Sequence, residues 1–335
     1  MTRLRAGIIG LGVGERHIAG YHAHPACRVA ALCDFDAGAL ERAGERHPDM
    51  RLLTRAEDVL DDPEIDVVSI ASYDSYHYDQ VRRALERGKH VFVEKPLCQY
   101  PAQASEIHAL LRDRPGLRLS SNLPLRLSPR FQLLKEMIGA GELGELFFLE
   151  GDYDYGRLHK ITAGWRGDED RYSVVLGGAV HVVDLLLWLT GRRVTQVSAR
   201  GNRIAAAGSK YRFDDFVVAT LELEGGLLAK VSANFGCVHP HFHAVKVFGT
   251  EATFVNGLPD ATLYTERGEH SRARAIDAAY PGVDKGALIH SFIESIVTEA
   301  PAAVTADEVF ETMAVCFAIE QATSSAGPVS VRGFD

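Results

Sequence analysis

The sequence predicts an α/β protein with two domains: an N-terminal doubly wound parallel sheet, and a C-terminal α+β domain with a large open, mostly antiparallel sheet. The chain has 335 residues, enough for about two domains. Short apolar runs alternate with amphipathic stretches through residue 122, a pattern typical of β-α-β units. Longer runs with period-two alternation follow, which is typical of antiparallel strands. We therefore divide the chain into domains 1–122 and 123–335.

Five apolar runs in the N-terminal domain predict short strands, at residues 4–9, 28–33, 66–71, 90–93 and 117–121. Amphipathic stretches between them predict helices at 15–24, 37–46, 75–87 and 101–112. Because each helix connects one short apolar strand to the next, the strands are expected to run parallel.

A different architecture is predicted for the C-terminal domain. Helices are expected at 130–138 and 180–190, the second ending at Gly191, and a strand at 146–150. Alternating strands are expected between 194 and 255, including 216–224 and 227–235, which a glycine turn joins as in a hairpin. Two further helices are predicted at 286–298 and 306–323.

The composition excludes several functional classes. Charged residues make up 24% and hydrophobic residues 46% of the sequence, as in an ordinary soluble globular protein. The net charge of −9 disfavours binding to nucleic acid or to an anionic membrane. No apolar run approaches the roughly 20 residues that span a bilayer, and the first residues lack a secretory signal pattern. Five cysteines without a C-x-x-C spacing predict reduced thiols and a cytoplasmic location.

A glycine-rich loop follows the first predicted strand. It contains Gly10, Gly12, Val13 and Gly14, and glycines at such a turn let the backbone approach a pyrophosphate at a helix N-terminus. The spacing departs from the full dinucleotide pattern G-x-G-x-x-G, because Gly14 comes one residue early. The alternative is a tight strand-to-helix turn without a ligand.

Asp34 stands at the end of the second predicted strand, 24 residues after Gly10. A carboxylate at this position accepts hydrogen bonds from the adenosine ribose and repels a 2′-phosphate, so it favours NAD over NADP. A simple turn aspartate is the alternative. The order of strand, glycine loop, helix, strand and acid predicts NAD as the cofactor.

The tripeptide Glu94-Lys95-Pro96 follows the predicted strand at 90–93. A lysine at the carboxyl end of a strand in such a sheet points into the ligand crevice, and Pro96 restricts the backbone of Lys95. Beside a nicotinamide, a lysine can exchange a proton with a substrate hydroxyl. Lys95 is therefore the first candidate catalytic residue.

With these motifs the sequence resembles the oxidoreductase family named after glucose-fructose oxidoreductase, inositol dehydrogenase and a rhizopine-catabolism protein (Gfo/Idh/MocA). The resemblance spans nearly the whole chain, and Glu-Lys-Pro after a strand is its most specific part. The matching segments are 10–14 with Arg16 and His17, 69–72 with His77, 94–97, 141–146, 181–184 and 327–329.

The resemblance implies a Rossmann domain followed by an open-sheet domain through which members often oligomerise, here as a homodimer or homotetramer. It also implies an NAD- or NADP-dependent oxidoreductase of sugars, inositols, sugar acids or nucleotide sugars. Lys95 and His181 match the family's catalytic lysine and histidine, and Glu94 matches a residue near the cofactor. Ser72 and His77 match the loop that borders the nicotinamide, so both are candidate cofactor contacts.

His181 and Asp184 lie near the start of the predicted helix 180–190 and share one face at a spacing of three residues. A histidine with a pKa of about 6.5 exchanges a proton at neutral pH, so His181 is the second candidate catalytic residue. A capping or core histidine is the alternative. Asp184 is a candidate substrate contact; alternatively it orients a neighbour or pairs with an arginine.

Two positions depart from the family pattern. Many of its dehydrogenases carry an aspartate four residues before the histidine, where this sequence has Gly177. Either the lysine and the histidine suffice, or Asp154, Tyr155 or Tyr172 replaces that aspartate, or catalysis has been lost. Tyr73 stands where a proline is usual, which predicts a different shape for the nicotinamide loop.

A polar, aromatic and basic stretch covers residues 153–168. Aromatic faces stack on sugar rings, and arginine or lysine binds phosphate or carboxylate. The stretch therefore predicts a substrate site for a sugar acid or nucleotide sugar; a solvated loop or a subunit contact is the alternative. Its candidate contacts are Asp154, Arg157, Lys160, Trp165 and Arg166.

Cys237, His239, His241 and His243 alternate along the chain, so on a strand they would share one side. Three histidines and a cysteine can bind zinc. Pro240 interrupts the strand, however, so we assign no metal and expect these residues to line a pocket or to take part in a sheet–sheet contact.

The predicted activity is hydride transfer between NAD and a hydroxyl-bearing carbon of a sugar, inositol, sugar acid or nucleotide sugar. Lys95 and His181 are expected to take the hydroxyl proton. Two alternatives stay open: a catalytically silent regulator that responds to NAD or a sugar, and a lyase or hydrolase that recycles NAD.

Overall fold

The computed structural model describes residues 3–268 and 273–334 and groups them into two compact units. The first unit comprises the described residues up to Pro124, together with Asp284–Glu311 and Phe334. The second comprises the described residues of Leu125–Val283 and Thr312–Gly333. The first break of this division falls after Pro124, close to the predicted boundary after residue 122, and the chain returns to the first unit at Asp284–Glu311.

A six-stranded parallel sheet forms the centre of the first unit. Its strands are β1 (Leu4–Ile9), β2 (Cys27–Cys33), β3 (Arg51–Leu53), β4 (Val67–Ile70), β5 (His90–Val93) and β6 (Leu119–Ser121). The helices between them are α1 (His17–His22), α2 (Ala37–Arg46), α3 (Ala56–Leu60), α4 (Asp74–Glu86) and α5 (Pro101–Arg112). The strand order is β3-β2-β1-β4-β5-β6, so the direction of sheet growth reverses between β1 and β4. Ligands bind in such sheets at the carboxyl ends of the strands beside this reversal.

Two short elements of this unit, β3 and α3, are absent from the sequence prediction. β3 has three residues, and Arg51 and Leu52 are exposed because the strand lies at the sheet edge. An exposed edge strand of this kind has no apolar run to recognise. All four residues of β4 are buried, by contrast, so the central strands are visible as apolar runs.

A nine-stranded mixed sheet forms the second unit. Its strands are β7 (Leu146–Asp154), β8 (Val194–Asn202), β9 (Phe216–Leu223), β10 (Leu228–Asn234), β11 (Phe242–Gly249), β12 (Thr253–Val255), β13 (Ala261–Tyr264), β14 (Ala273–Ile276) and β15 (Val329–Ser330). The order is β14-β13-β12-β11-β7-β10-β9-β8-β15, and every neighbouring pair is antiparallel except β7 with β10. A parallel sheet followed by a large, mostly antiparallel sheet confirms the predicted fold class.

The helices of the second unit include α6 (Pro129–Gly139), α7 (His159–Thr162) and α8 (Val180–Thr190). Two further helices lie close to the predicted ranges: α9 (Ala287–Thr298) belongs to the first unit, and α10 (Ala306–Ser324) begins in the first unit and continues into the second. The strands β13 and β14 were not predicted, because the alternating pattern was followed only to residue 255. Within the described ranges, no helix combines the length and the apolar character needed to cross a bilayer.

The strand β7 continues to Asp154, beyond the predicted end at residue 150. Gly151 and Tyr153 are buried, whereas Asp152 and Asp154 are half-buried and belong to the opposite face. Because Asp152 and Asp154 are polar, the second half of β7 was not recognised in the sequence as a strand with one buried face. Gly151 also lets α8 approach β7, since a Cβ atom at Gly151 would lie 3.2 Å from the Cβ atom of Val182.

Candidate active site

The glycine loop after β1 is fixed by a close backbone approach. Gly10 has a φ of 87°, which favours glycine, and its amide donates to the Cys33 carbonyl at 2.8 Å. A Cβ atom at Gly10 would overlap the carbonyl oxygen of Ala71, just after β4. The loops after β1 and β4 therefore meet at the reversal of the strand order, and only glycine fits their contact.

Gly12 and Gly14 differ in the space around them. A Cβ atom at Gly12 would meet no other atom within 4 Å, so the backbone at this point is open to an approaching group. A Cβ atom at Gly14 would lie 2.9 Å from Ile8 and 3.1 Å from Ala71. Gly14 thus provides the close packing of helix and strand that the third glycine of a dinucleotide loop provides, although it comes one residue early. The loop fits a pyrophosphate at Gly12.

Asp34, directly after β2, is anchored by two backbone amides. Leu11 donates to Oδ2 at 2.8 Å and Asp36 donates to Oδ1 at 2.9 Å. A carboxylate has about four acceptor sites, so these contacts leave room for ribose hydroxyls. The side chain of Asp34 is half-buried, and the glycine-rich loop holds it in position through the Leu11 amide.

Aromatic side chains lie beside Asp34. Phe35 is 70% exposed, and its ring meets the ring of Tyr73 edge to face at 5.8 Å between centroids. Tyr73 in turn stacks on Tyr76 at 6.4 Å. Tyr73, the residue found in place of the usual proline, thus takes part in an exposed aromatic group at the carboxyl ends of β2 and β4.

Glu94 follows β5 and is held by two polar neighbours. The Asn122 amide donates to Oε1 at 2.6 Å, and His17 Nε2 lies 3.3 Å from the same oxygen. Burial alone raises the pKa of Glu94, but the hydrogen bonds and the charges of His17 and Lys95 outweigh it and lower the pKa to about 2. Glu94 is therefore ionised at neutral pH, next to the ammonium group of Lys95.

His17 and Asn122 were not among the predicted site residues. His17 is fully buried, and its Nδ1 lies 2.9 Å from the Ser69 hydroxyl in β4. Asn122 directly follows β6, so it stands at the same sheet edge as the other polar groups. The position of Asn122 directly after a strand was the feature of the sequence that could have identified it. His17 lies in a segment that matches the family, but it was assigned no function from the sequence.

Ser72 and His77 connect the loops that follow β4 and β5. The Ser72 hydroxyl donates to Gln80 at 2.7 Å. His77 has no exposed surface, and its two ring nitrogens face the carbonyl oxygens of Pro96 at 2.6 Å and Ser72 at 3.2 Å. His77 thus links the segment after Lys95 to the loop after β4, and any part it has in cofactor binding is through these backbone segments.

In the second unit, His181 lies at the start of α8. The chain enters this helix through a π-helical turn, Val175–Ala179, a feature often found at functional sites. His181 is 8% exposed; its ring stacks on Tyr153 at 5.8 Å and meets His243 edge to face at 6.2 Å. The imidazole therefore lies in an aromatic setting between α8 and two strands of the sheet.

Two consecutive glycines in the π-helical turn make space for aromatic rings. A Cβ atom at Gly177 would overlap the hydroxyl of Tyr172, and one at Gly178 would lie 2.6 Å from the ring of Tyr153. The hydroxyl of Tyr172 thus occupies the space that a side chain at position 177 would fill.

Asp184 is a correction to the predicted substrate contacts. It is fully buried, and Arg126 binds it through Nη2 at 2.6 Å and Nε at 3.0 Å. Thr312 lies at hydrogen-bond distance, 3.5 Å from Oδ1. Such a carboxylate cannot reach a ligand without breaking its ion pair, so the alternative prediction, pairing with an arginine, is correct.

Asp154 lies away from the ring contacts of His181. It lies on the face of β7 opposite Tyr153, and therefore opposite the ring contact with His181. Burial raises the pKa of Asp154, and the charge of Asp152 on the same face raises it further. Asp152 itself binds Lys230 at 2.8 Å. The alternation of the strand removes Asp154 from the surroundings of His181.

The remaining predicted substrate contacts lie in three different surroundings. Arg166 lies over Trp165 at 4.5 Å and over Tyr172 at 5.7 Å, so these residues form one cluster. Arg157 lies over Tyr155 at 5.3 Å. Lys160 is exposed on the short helix α7. Their roles in binding stay predictions.

The alternating histidines do not share one partner. His241 is exposed and meets Tyr153 and Tyr155 edge to face, whereas Nδ1 of His243 lies 2.6 Å from the Tyr280 hydroxyl. Cys237 donates to the Asn234 carbonyl at 3.4 Å. Across 3–268 and 273–334, no three histidine, cysteine or acidic side chains lie close enough to hold a metal ion.

Comparison with known proteins agrees with this geometry. Residues 4–122 match a family model described as an oxidoreductase family with an NAD-binding Rossmann fold, and 131–255 match the GFO/IDH/MocA C-terminal domain. The chain is 27% identical over 257 residues to the uncharacterized oxidoreductase YrbE of Bacillus subtilis (strain 168), covering 74% of this chain and 72% of the relative. It is 28% identical over 263 residues to the inositol 2-dehydrogenase of Corynebacterium glutamicum (strain R), covering 76% and 72%.

Solved structures share the fold over the full length. A levoglucosan dehydrogenase, solved in complex with NADH and L-sorbose, matches 99% of this chain and 100% of its own with a TM-score of 0.87 and 19% identity. The fold, the glycine loop and the matched segments define an NAD-binding oxidoreductase of the Rossmann type. The chain belongs to the Gfo/Idh/MocA oxidoreductase family, as the matching segments indicated, and NAD is its cofactor.

Proposed function

We propose that the chain is a dehydrogenase that uses NAD to oxidise a CH–OH group, or to reduce the corresponding carbonyl, in a polyhydroxylated substrate. The observation that carries this proposal lies at the carboxyl edge of the parallel sheet, where Lys95 follows an ionised Glu94 on the same edge as the open backbone at Gly12. The substrate class is a sugar, inositol, sugar acid or nucleotide sugar. The names of the relatives, an inositol 2-dehydrogenase and a levoglucosan dehydrogenase, support this class.

The proposed reaction divides into a hydride transfer and a proton transfer. In the oxidising direction the substrate carbon loses a hydride and its hydroxyl loses a proton, which leaves a carbonyl. NAD supplies the hydride acceptor when it is bound. Neutral His181 accepts the proton and releases it to solvent, and Lys95 is the second group proposed to exchange a proton with the substrate hydroxyl. The reverse reaction returns the proton from the same groups.

The cofactor is proposed to bind along the carboxyl edge of the first unit. Gly10, Gly12, Val13 and Gly14 receive the pyrophosphate, and Asp34 receives the adenosine ribose. The Asp34 carboxylate would repel a 2′-phosphate on that ribose, which is present in NADP and absent from NAD, so Asp34 supports NAD as the cofactor.

The exposed ring of Phe35 provides a test of this placement. Phe35→Ala is expected to raise the dissociation constant for NAD roughly tenfold, because stacking of a base on an aromatic ring contributes about 1–3 kcal/mol. The measurement is a titration of the protein with NADH, followed by nucleotide fluorescence. Phe35→Tyr keeps an aromatic face and should bind as the unchanged protein does. Equal affinity for all three proteins would place the adenine elsewhere.

The substrate is proposed to contact the aromatic surroundings of His181. Tyr153 and Tyr155 are buried and stack on each other, so they hold His181 in place. The half-buried Trp165–Arg166 cluster offers an aromatic ring for a sugar and a cation for a carboxylate or phosphate. Asp154 and Asp184 have no part in this proposal, for the reasons of position and pairing given above.

A catalytically silent regulator is the second candidate function, and the absence of a carboxylate at Gly177 is the observation that favours it. The two are separated by titration with NAD, followed by measurement of NADH appearance across a panel of inositols, sugars, sugar acids and nucleotide sugars. We expect binding and NADH formation with at least one compound class. Binding without turnover on the whole panel would establish the regulator, and conversion of a compound without net NADH would establish a lyase or hydrolase.

We also propose that the chain forms a homodimer or homotetramer through the large sheet, in the cytoplasm. Apolar side chains lie together on the open face of this sheet: Leu228 is 50% exposed and pairs with Phe148, whose ring stacks on Phe248 at 5.6 Å. Exposed apolar clusters of this kind are typical of subunit contacts. All five cysteines are free thiols, which supports a reducing compartment.

A further inference from the structure

The hydroxyl of Tyr172 lies at a defined place relative to the helix that carries His181. Tyr172 is 3% exposed, and its hydroxyl occupies the space in which a Cβ atom of Gly177 would stand. Gly177 precedes His181 by four residues, so the two positions lie on the same face of the helix, about one turn apart. Helical side chains lean toward the N-terminal turn, which brings the imidazole toward the level of Gly177.

The position of this hydroxyl is fixed by packing on several sides. The Tyr172 ring meets Trp165, Tyr211 and Phe235 edge to face, at 6.2, 6.3 and 6.3 Å. The guanidinium of Arg166 lies 5.7 Å from the same ring. A ring with neighbours on these sides cannot swing its hydroxyl away from Gly177 without disturbing the cluster.

We propose that the Tyr172 hydroxyl hydrogen-bonds to the His181 imidazole through one water molecule, and that it stabilises the neutral imidazole. The proposal rests on the proposed function only in treating His181 as the base. Of the other two residues considered as replacements for an acid at position 177, Asp154 lies on the opposite face of β7. The three atoms nearest to a Cβ atom at Gly177 all belong to Tyr172, and none belongs to Tyr155. Tyr172 is thus a positioning residue that acts through His181.

A neutral phenol and a carboxylate have opposite effects on the proton affinity of an imidazole. A phenol donates a hydrogen bond to the neutral ring and lowers its pKa, whereas a carboxylate stabilises the imidazolium and raises it. The charged carboxylate of Asp184 is matched by Arg126, so it contributes little net charge here. Among the described residues, the rings in contact with His181 include Tyr153 of β7 and His243 of β11. Tyr155 and His241, just outside these strands, contact Tyr153, and Arg166 lies over Tyr172.

Three variants separate the hydroxyl from the space that it fills. Tyr172→Phe removes the hydroxyl and keeps the ring. Gly177→Asp alone should unfold at a lower temperature, because its Cβ atom overlaps the Tyr172 hydroxyl. The combination of Tyr172→Ala with Gly177→Asp makes room for the new side chain and brings a carboxylate to the same place. Tyr211→Phe is the matched control, since the Tyr211 hydroxyl donates to the Asp214 carbonyl at 3.2 Å.

The readout is the NMR titration of the His181 ring in protein labelled at histidine, with the signal identified by its loss in His181→Gln. We expect the pKa to rise from the unchanged protein to Tyr172→Phe, and to rise further, by about one unit in total, in the double variant. Tyr211→Phe should titrate as the unchanged protein does. A His181 titration that is the same in the unchanged protein, Tyr172→Phe and the double variant would overturn the proposal.

The titration needs neither substrate nor turnover, so it is independent of the panel that tests the dehydrogenase function. If a substrate is found, Tyr172→Phe should lower kcat about tenfold with little change in KM. The double variant should need a higher pH for half-maximal oxidation, because its imidazole loses the proton at higher pH. If the pH for half-maximal oxidation were lower in the double variant than in the unchanged protein, the assignment of Tyr172 would be contradicted even if the chain is a dehydrogenase.

Discussion

Replacing Lys95 by alanine is expected to lower turnover about 100- to 10,000-fold while the affinity for NAD stays nearly unchanged. Lys95 follows β5 at the carboxyl edge of the sheet, and the peptide groups around it are tied to the loop after β4 through His77. The scaffold of this edge therefore survives removal of the ammonium group, and only proton exchange at the substrate hydroxyl is lost. The measurement combines steady-state kinetics on the substrate found in the panel with an NADH titration of the same variant.

Two controls distinguish proton exchange from charge. Lys95→Arg keeps a cation, but a guanidinium does not give up its proton at neutral pH, so this variant should remain impaired. Lys246→Ala removes a lysine from the sheet of the second unit, where it binds Glu150 at 2.9 Å, and should leave turnover unchanged. Turnover of Lys95→Ala at the level of the unchanged protein would end the catalytic assignment of this residue.

Removal of the Arg126 side chain is expected to lower the free energy of unfolding by about 3–5 kcal/mol. Asp184 is fully buried, and Arg126 is 3% exposed and binds it with two nitrogens. Arg126→Ala leaves a buried carboxylate without its cation, and this loss is much larger than that of an exposed ion pair. Equilibrium unfolding in urea, followed by circular dichroism, gives the value.

The chain offers a matched exposed pair for comparison. Arg82 and Glu86 form an ion pair one turn apart on α4, with side chains 39% and 41% exposed. Arg82→Ala should change the free energy of unfolding by at most about 0.5 kcal/mol, because water screens such a pair. Equal losses in Arg126→Ala and Arg82→Ala would show that the buried pair is not a structural anchor of α8.

The sequence was sufficient for the parts of the fold that depend on local pattern. The strand β4 is buried throughout and, like its central neighbours, mostly apolar, and α9 and α10 are long and uninterrupted, so their positions follow from the sequence pattern. The edge strand β3 and the second half of β7 were missed because exposure and polar residues removed the apolar signal. The role of Gly14 also needed coordinates, since its packing against Ile8 and Ala71 is a contact across the chain.

Some residues of the candidate site could likewise be identified from the sequence, and others only from the structure. The glycine loop, Asp34 and Lys95 were recognisable because each stands directly after a strand. Asp184 was assigned to substrate by its spacing from His181, but its partner Arg126 is far away in sequence and no spacing rule indicates it. The face on which Asp154 lies could not be read from the sequence, because the predicted strand ended at residue 150 and β7 continues to Asp154.

The contact between Tyr172 and Gly177 has an evolutionary consequence. A lineage that acquires a larger residue at 177 first meets a clash, and one that first reduces Tyr172 opens a void beside the helix. Each single step is harmful, whereas the two together are compatible, so the positions are epistatic. Related genomes should therefore combine glycine with tyrosine, or an acid with a smaller side chain, and the mixed combinations should be rare.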